Sequence, residues 1–249
     1  MADTLVIVPT YNEAETLEAI VKRITAAVPE ADVLIVDDDS PDGTGMLADR
    51  LAGLYRQVGV VHRGEKDGLG RAYLAGFEHA IRRGYDYVVE IDADGSHDPA
   101  ELPTMLALAR EGAGLVIGSR WVPGGAIRDW PRTRQAISRT GNWYARLALR
   151  SNIRDITAGY RVYRTSLLST MHLETVSSQG YCFQVEMAWR AERAGEVIAE
   201  HPIEFVERIA GSSKMHSGIV IEALLRVTWW GIADRIGPRR RRRVSLRSD

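Results

Sequence analysis

The sequence predicts an α/β protein with a mostly parallel central sheet flanked by helices. Short apolar runs alternate with helical patterns through the first half of the chain. Most of these runs are apolar at successive positions, which is typical of strands buried on both faces of a parallel sheet. The composition, 45% hydrophobic and 26% charged, suits a folded domain with a sizeable core. In such sheets ligands bind beyond the carboxyl ends of the strands.

Five strands and four helices are predicted in the first half. The strands are Thr4–Val8, Val33–Val36, Val58–Val61, Tyr87–Ile91 and Leu115–Gly118. The helices are Glu13–Val28, Thr44–Tyr55, Leu69–Arg83 and Ala100–Glu111. Pro9 is expected to end the first strand, because proline cannot donate to the sheet. Asn12 is expected to cap the first helix.

The pattern changes after Arg120. The segment Trp121–Arg134 is rich in Pro, Gly and Arg and indicates a loop. Helices are predicted at Ser138–Leu149, Phe183–Ala194 and Gly218–Ile236, and one or two strands within Glu196–Val206. The sequence therefore divides into a principal domain, residues 1–216, and a C-terminal amphipathic helix with its tail, residues 217–249.

Charge and cysteine content limit the class of protein. From Arg235 onward seven arginines stand against one aspartate, a net +6, so the rest of the chain carries −7 of the total −1. The single cysteine, Cys182, excludes an intramolecular disulfide and suits a reducing compartment. The sequence shows neither a secretion signal nor a run of about 18 apolar residues that could span a bilayer. A cytoplasmic protein is expected, with an anionic partner for the Arg239–Arg243 run.

The most informative motif is Asp92-Ala93-Asp94, which follows the predicted strand Tyr87–Ile91. Residues two apart on an extended chain point to the same side, so the carboxylates would share one spot. Like charges this close need neutralisation, and hard oxygen ligands suit Mg²⁺ or Mn²⁺. The motif predicts a metal-bound diphosphate substrate, although a solvated strand end also explains it.

Polar residues follow the other predicted strands as well. In Val8-Pro-Thr-Tyr-Asn-Glu13, Tyr11 and Glu13 are placed to contact a base or ribose. In Asp37-Asp-Asp-Ser-Pro-Asp-Gly-Thr44, Asp38 is a candidate acceptor for ribose hydroxyls or base N–H groups. The Gly68-Leu-Gly70 segment is not a nicotinamide fingerprint, because Tyr73 stands where the third glycine belongs.

Cations and hydroxyls suited to phosphate occur later in the chain. Arg120 ends a predicted strand, and Arg134 and Ser138 lie one helical turn apart. The polar segment from Arg208 to Lys214 suits a lid over phosphates. Taken singly, each of these is more often a solvated surface charge.

Together, in this order, these segments resemble the polyprenol-phosphate (dolichol-phosphate) mannose synthases, inverting glycosyltransferases of the GT-A fold. The resemblance covers residues 4–216. It implies that the nucleotide-sugar contacts are Pro9, Tyr11, Glu13, Val36, Asp38, Asp92, Ala93, Asp94, Arg120, Arg208 and Lys214. It implies a catalytic role for Asp92, Asp94 and Arg120, and acceptor-phosphate binding by Arg120, Arg134 and Ser138. Some members have Gln two residues after the second Asp as a metal ligand, and here Ser96 stands there beside Asp92 and Asp94.

By this resemblance the chain transfers mannose from GDP-mannose to a polyprenyl phosphate at the cytoplasmic face of a membrane, which the C-terminal helix and Arg239–Arg243 contact. A separate membrane-anchor protein is left open as a further partner. The sequence does not separate guanine from uracil, so a UDP-glucose:polyprenyl-phosphate glucosyltransferase is one alternative. A non-catalytic nucleotide-sugar-binding module is another. A nucleic-acid partner is not expected, because the arginine run lacks aromatic residues and the body is acidic.

Overall fold

The computed structural model describes residues 2–178, 180–207 and 217–236. The strands are β1 Thr4–Thr10, β2 Asp32–Asp37, β3 Val58–His62, β4 Tyr87–Glu90, β5 Leu115–Ser119, β6 Ala126–Ile127, β7 Arg161–Arg164, β8 Ile198–Pro202 and β9 Glu204–Phe205. The helices are α1 Leu17–Ala27, α2 Thr44–Leu54, α3 Leu69–Arg83, α4 Leu102–Arg110, α5 Arg132–Leu149, α6 Thr165–Thr170, α7 Gly180–Ala194 and α8 Ser217–Ile236. Single 3₁₀ turns cover Pro99–Glu101 and Leu173–Thr175.

The central sheet has seven strands in the order β3-β2-β1-β4-β7-β5-β8. All neighbouring pairs are parallel except those of β7, which runs antiparallel to β4 and β5. The mostly parallel sheet is thereby confirmed. β7 was not predicted, because a four-residue strand with Arg161 and Arg164 at its ends carries little apolar signal.

The sheet is buried on both faces by two layers of helices. Leu5 and Ile7 of β1 face a cluster with α3, α5, α6, α7 and α8, while Val6 and Val8 face α1, α2 and α4. This alternation along one strand is the two-residue period of β structure. Gly76 lets α3 approach β1, since a Cβ there would lie 2.5 Å from the Ile7 side chain.

The end of β1 differs from the prediction. The strand continues through Pro9 to Thr10, pairing Pro9 with Val36 of β2. Proline is tolerated because β4 stops pairing with β1 at Ile7, so no partner is present for the missing N–H. Asn12 does not cap α1, whose N-cap is Thr16; Asn12 instead takes a left-handed φ of 59° in the preceding turn.

The loop predicted at Trp121–Arg134 is partly regular. It contains β6, which pairs with β9 in a separate two-stranded sheet, and the start of α5 at Arg132. Pro131 stands at the N-cap of α5, so the helix begins earlier than the apolar pattern indicates.

The last helix, α8, packs on α5 and α7. Val227 is buried in the core, and Trp230 stacks on Trp189 with ring centres 5.3 Å apart. The Trp189 indole N–H donates to Asp234 Oδ2 at 2.9 Å. Val227 and Trp230 of α8 therefore pack against the rest of the domain, while Trp229 is 69% exposed. No helix among the described residues is long and apolar enough to cross a membrane.

Candidate active site

A cavity of about 320 Å³ lies at the carboxyl ends of the parallel strands. Its walls come from the segments that follow β1, β2, β4 and β5, with contributions from α3, α5, α7 and β9. Of the predicted site residues, the cavity brings together Pro9, Tyr11, Glu13, Asp38, Asp92, Ala93, Asp94, Arg120 and Arg134.

Five predicted residues are placed differently or lie outside the described chain. Val36 is fully buried within β2 and does not line the cavity, and Ser96 and Ser138 are likewise absent from its lining. Arg208 and Lys214 fall outside the described residues, as does the arginine run Arg239–Arg243. The roles assigned to these residues stay predictions.

Asp92 is held in place by Tyr73 of α3. The Tyr73 hydroxyl donates to Asp92 Oδ1 at 3.0 Å. Burial, reinforced by the negative charge of Asp92, raises the pKa of Tyr73 well above its usual range, so the phenol remains a proton donor. Tyr73, which stands where a dinucleotide-binding fingerprint would have its third glycine, therefore orients Asp92.

Asp94 is held by its own turn. Its Oδ1 accepts from the Ser96 backbone N–H at 3.0 Å and from the Ser96 hydroxyl at 2.6 Å. Asp94 is 4% exposed, yet its side chain lines the cavity. Ser96 therefore acts in this structure as a donor to Asp94, and its role as a third protein ligand to a metal stays a prediction.

The carboxylate pair fits a divalent cation. Asp92 and Asp94 present hard oxygen atoms to one cavity, and each is oriented by a hydroxyl donor. Within the described residues no group of three His, Cys, Asp or Glu side chains is arranged to hold a metal by itself. The donor set therefore suits Mg²⁺ or Mn²⁺ completed by water and substrate phosphate oxygens, rather than an all-protein cage.

The candidate nucleotide-binding residues Tyr11, Glu13 and Asp38 lie at the end of the cavity beyond β1 and β2. Arg63 donates to Asp38 Oδ1 at 2.7 Å. Burial raises the pKa of Asp38, and the Arg63 charge opposes that rise. The Lys66 ammonium lies 3.8 Å from the centre of the Tyr11 ring, and both line the cavity. Sequence reasoning missed Arg63 and Lys66, because neither stands in a recognisable motif.

Arg120 is paired with a residue that sequence reasoning missed. Its Nε and one terminal nitrogen each lie 2.7 Å from a different carboxylate oxygen of Asp155, which is fully buried. The same guanidinium donates to the Thr157 hydroxyl at 3.1 Å. The bidentate pair fixes the direction of Arg120, which lines the cavity and packs near Trp130 and Phe205.

Arg134 is also fixed, by a different pair of contacts. It donates to Glu207 Oε1 at 2.5 Å, and its guanidinium carbon lies 4.0 Å from the centre of the Trp130 ring. Ser138 lies one turn further along α5 with its side chain half-buried, and its carbonyl accepts from Asn142. Arg120 and Arg134 thus place two guanidinium groups on one wall of the cavity.

The floor of the cavity contains further polar residues that no motif indicated. Gln184 of α7 is 3% exposed and lines the cavity. Behind the site, burial raises the pKa of Glu90 to about 8, while the Arg161 charge acts in the opposite direction. Glu90, Arg161 and Gln184 belong to β4, β7 and α7, so only the folded chain brings them together.

Fold and site together define the class: an α/β glycosyltransferase of the GT-A type, with an aspartate pair at the end of a central strand and two guanidinium groups that line the same cavity. The chain belongs to glycosyl transferase family 2, whose model matches residues 5–171. The predicted fold class and enzyme class are confirmed.

Two curated relatives are similar over nearly the whole chain. An undecaprenyl-phosphate mannosyltransferase of Micrococcus luteus is 54% identical over 231 residues, 93% of this chain and 95% of the relative. A polyprenol monophosphomannose synthase of Mycolicibacterium smegmatis is 52% identical over 234 residues, 94% of this chain and 88% of the relative.

Solved structures share the fold at lower identity. A mannosyltransferase from Pyrobaculum calidifontis in complex with GDP-Man and Mn²⁺ matches with a TM-score of 0.64 at 20% identity, covering 95% of this chain and 66% of that chain. A mannosyl-3-phosphoglycerate synthase from Rubrobacter xylanophilus matches with a TM-score of 0.60 at 20% identity, covering 94% and 73%.

Proposed function

We propose that this chain transfers mannose from GDP-mannose to a polyprenyl monophosphate, with inversion, giving polyprenyl β-D-mannosyl phosphate. The observation that carries the proposal is the 52–54% identity, over almost the entire chain, to two proteins named for mannose transfer to such lipids. The cavity supports it, since it combines a nucleotide end, a carboxylate pair and two guanidinium groups.

The donor is assigned to the part of the cavity around β1, β2 and β4. Tyr11, Glu13 and Asp38 line the cavity together with Asp92 and Asp94. In this assignment the first three contact the base and ribose, and the two aspartates contact the diphosphate. A divalent metal, Mg²⁺ or Mn²⁺, held by Asp92 and Asp94, supplies Lewis-acid stabilisation of the negative charge that gathers on the departing diphosphate. Tyr73 and Ser96 keep the two carboxylates aimed at that position.

The acceptor phosphate is assigned to Arg120 and Arg134, with Ser138 on the same helix as Arg134. A phosphate monoester has a second pKa near 6, so it is largely dianionic at neutral pH. It needs placement more than deprotonation, which agrees with guanidinium groups held rigidly by Asp155 and Glu207. A phosphate oxygen forms a bond to the anomeric carbon as the bond to the GDP oxygen breaks, and the electron pair leaves with GDP.

The lipid acceptor implies contact with a membrane, which we assign to α8, the tail with Arg239–Arg243, and the cytoplasmic face. Trp229, Leu225 and Ile232 of α8 are exposed apolar side chains. Each basic residue close to an anionic leaflet adds about 1 kcal/mol to binding.

The decisive experiment is a transfer assay with a short polyprenyl phosphate, Mn²⁺, and either GDP-mannose or UDP-glucose. We expect transfer from GDP-mannose and its loss in Asp94→Asn. The matched control is Asp49→Asn, an aspartate on α2 that pairs with His62 at the surface. Faster transfer from UDP-glucose would support the glucosyltransferase alternative. Absence of transfer from both donors, with nucleotide binding retained, would support a non-catalytic module.

A further inference from the structure

A second cavity, of about 270 Å³, lies against α5 outside the candidate active site. Its lining residues are Trp121, Arg139, Asn142, Trp143, Arg146 and Arg154, and we call it the α5 cavity. Four of the six lie on one face of α5, at the spacing of neighbours on a helix surface. Trp121 and Arg154 close the cavity from the segments after β5 and after α5.

The lining offers donors and positive charge without a matching acceptor. Trp121 Nε1 and Arg146 Nε are buried and have no acceptor among the described residues. The Arg139 guanidinium carbon lies 4.5 Å from the centre of the Trp121 ring. The ion pairs in the described part of the chain do not include Arg139, Arg146 or Arg154, and Arg154 donates to the carboxylate of Glu200 through its backbone N–H, at 2.8 Å. Such a set suits a phosphate, which arginine binds through paired N–H groups.

The α5 cavity is separate from the acceptor site but shares a wall with it. Asn142 lines the cavity and donates to the Thr157 hydroxyl at 3.0 Å. Thr157 in turn accepts from Arg120 at 3.1 Å. A phosphate in the α5 cavity would therefore lie on the other side of Asn142 from the one that Arg120 and Arg134 bind.

The direction of α8 along α5 places further residues beside this cavity. Tyr144 hydrogen-bonds Thr228 at 2.5 Å, and Gly231 packs against the Ala148 carbonyl. The later residue on α5 contacts the later residue on α8, so the two helices are parallel. An α-helix turns by about 100° per residue. In two parallel helices, the residue that precedes a contact residue on α5 and the residue that follows a contact residue on α8 therefore point to the same side of the helix pair.

That side is apolar and exposed. Its members are Trp143, Leu147, Leu225, Trp229 and Ile232, which we call the apolar face. Trp143 is 62% exposed and belongs to both the apolar face and the α5 cavity. A phosphate group attached to an apolar body fits this combination, whereas a free phosphate would leave the apolar face unused. Amphipathic indoles beside basic side chains are typical of surfaces that lie in a membrane interface.

We propose that the α5 cavity binds the headgroup phosphate of an anionic membrane phospholipid while the apolar face enters the interface. The inference rests on the membrane association proposed above, but on neither the sugar nor the acceptor. Because α5 also carries Arg134 and Ser138, headgroup binding orients the acceptor site towards the bilayer that holds the acceptor.

The first test measures binding to phosphatidylcholine vesicles with and without phosphatidylglycerol, by sedimentation. Each basic group at an anionic leaflet changes affinity about fivefold, so Arg146→Gln/Arg154→Gln should weaken binding to the anionic vesicles roughly 30-fold. The matched control is Arg82→Gln/Arg83→Gln, which removes the same charge from exposed positions at the end of α3. Equal losses in the two variants, or wild-type binding by the cavity variant, would overturn the proposal.

The second test separates the two sources of phosphate by tryptophan fluorescence, which Trp121 and Trp143 report. Monomeric dihexanoyl phosphatidylglycerol should change the emission of the wild type but not of Arg146→Gln/Arg154→Gln. An equal response to inorganic phosphate at the same concentration would make this a free-phosphate site and refute the lipid assignment. No response to either ligand would also refute it.

The third measurement separates this inference from the proposed function. Transfer of mannose to a short, water-soluble polyprenyl phosphate should be unchanged in the cavity variant, because Arg146 and Arg154 do not line the candidate active site. If the wild type transfers no mannose yet its vesicle binding depends on these arginines, the headgroup site stands and the proposed function fails.

Discussion

The Tyr73 hydroxyl lies 3.0 Å from Asp92 Oδ1 and donates to it from the first turns of α3. The ring itself is anchored independently, since Phe77 and Phe183 stack on it with centres 6.3 and 6.2 Å away. The ring of Tyr73 therefore packs in the core, while its hydroxyl orients Asp92, a candidate metal ligand.

Tyr73→Phe removes only the hydroxyl, so we expect the fold to persist and the metal dependence to change. Loss of a group that orients a metal ligand typically costs about 10- to 100-fold in metal affinity or activity. The measurement is the Mn²⁺ concentration for half-maximal mannose transfer. Tyr85→Phe is the matched control, because its hydroxyl bonds Asp32 at the opposite end of the sheet. An unchanged Mn²⁺ requirement in Tyr73→Phe would show that this hydrogen bond has no role in metal binding.

The position of the site could be predicted because the residues that follow each predicted strand can be identified from the sequence alone. Parallel strands deliver their following residues to one edge, so Tyr11, Asp38, Asp92 and Arg120 could be grouped before any contact was known. The residues that hydrogen-bond to these site residues and fix their orientation could not be predicted. Tyr73 lies 19 residues from Asp92, and Asp155 lies 35 residues from Arg120. These pairs depend on how α3 and the segment before β7 pack, which local patterns do not specify.

The Arg120–Asp155 pair gives a prediction about stability. Asp155→Ala leaves a buried guanidinium without its carboxylate, which typically costs about 3–5 kcal/mol in the free energy of unfolding. Urea denaturation should show this loss. The surface pair of Lys22 and Glu18 provides the comparison, and Glu18→Ala should show no comparable loss.

A double variant separates stability from function at the same pair. Arg120→Met/Asp155→Leu replaces both charges with apolar groups of similar size, so much of the stability lost in Asp155→Ala should return. Mannose transfer should be lost in this double variant, because the guanidinium that lines the cavity is gone. Recovery of transfer in the double variant would exclude Arg120 from substrate binding.

The tail gives a prediction about membranes that is independent of the described structure. Removing residues 237–249 deletes Arg239–Arg243 and Arg247. Binding to anionic vesicles should weaken, and the remaining binding should depend less on salt, because screening acts on exposed charges. Sedimentation at several salt concentrations measures both effects. Unchanged binding throughout the series would remove the electrostatic role of the tail.

Glu90 gives a prediction about pH. It is fully buried in β4, and burial raises its pKa to about 8 from an ordinary value of 4.5. Between these two values the folded state holds a proton that the unfolded state has released. Stability should therefore fall as pH rises through this window, by at most about 1.4 kcal/mol per pH unit, and the contribution should level off above pH 8.

Glu90→Gln tests this, because the amide resembles the protonated carboxyl group and does not titrate. Subtracting the variant's pH profile from that of the wild type cancels the other ionisable groups, so the difference isolates Glu90. We expect the wild type to lose stability relative to Glu90→Gln from pH 5 to pH 8, measured by urea denaturation with a chelator present. Parallel profiles would mean that Glu90 is ionised in the folded protein across this range and that the Arg161 charge outweighs its burial.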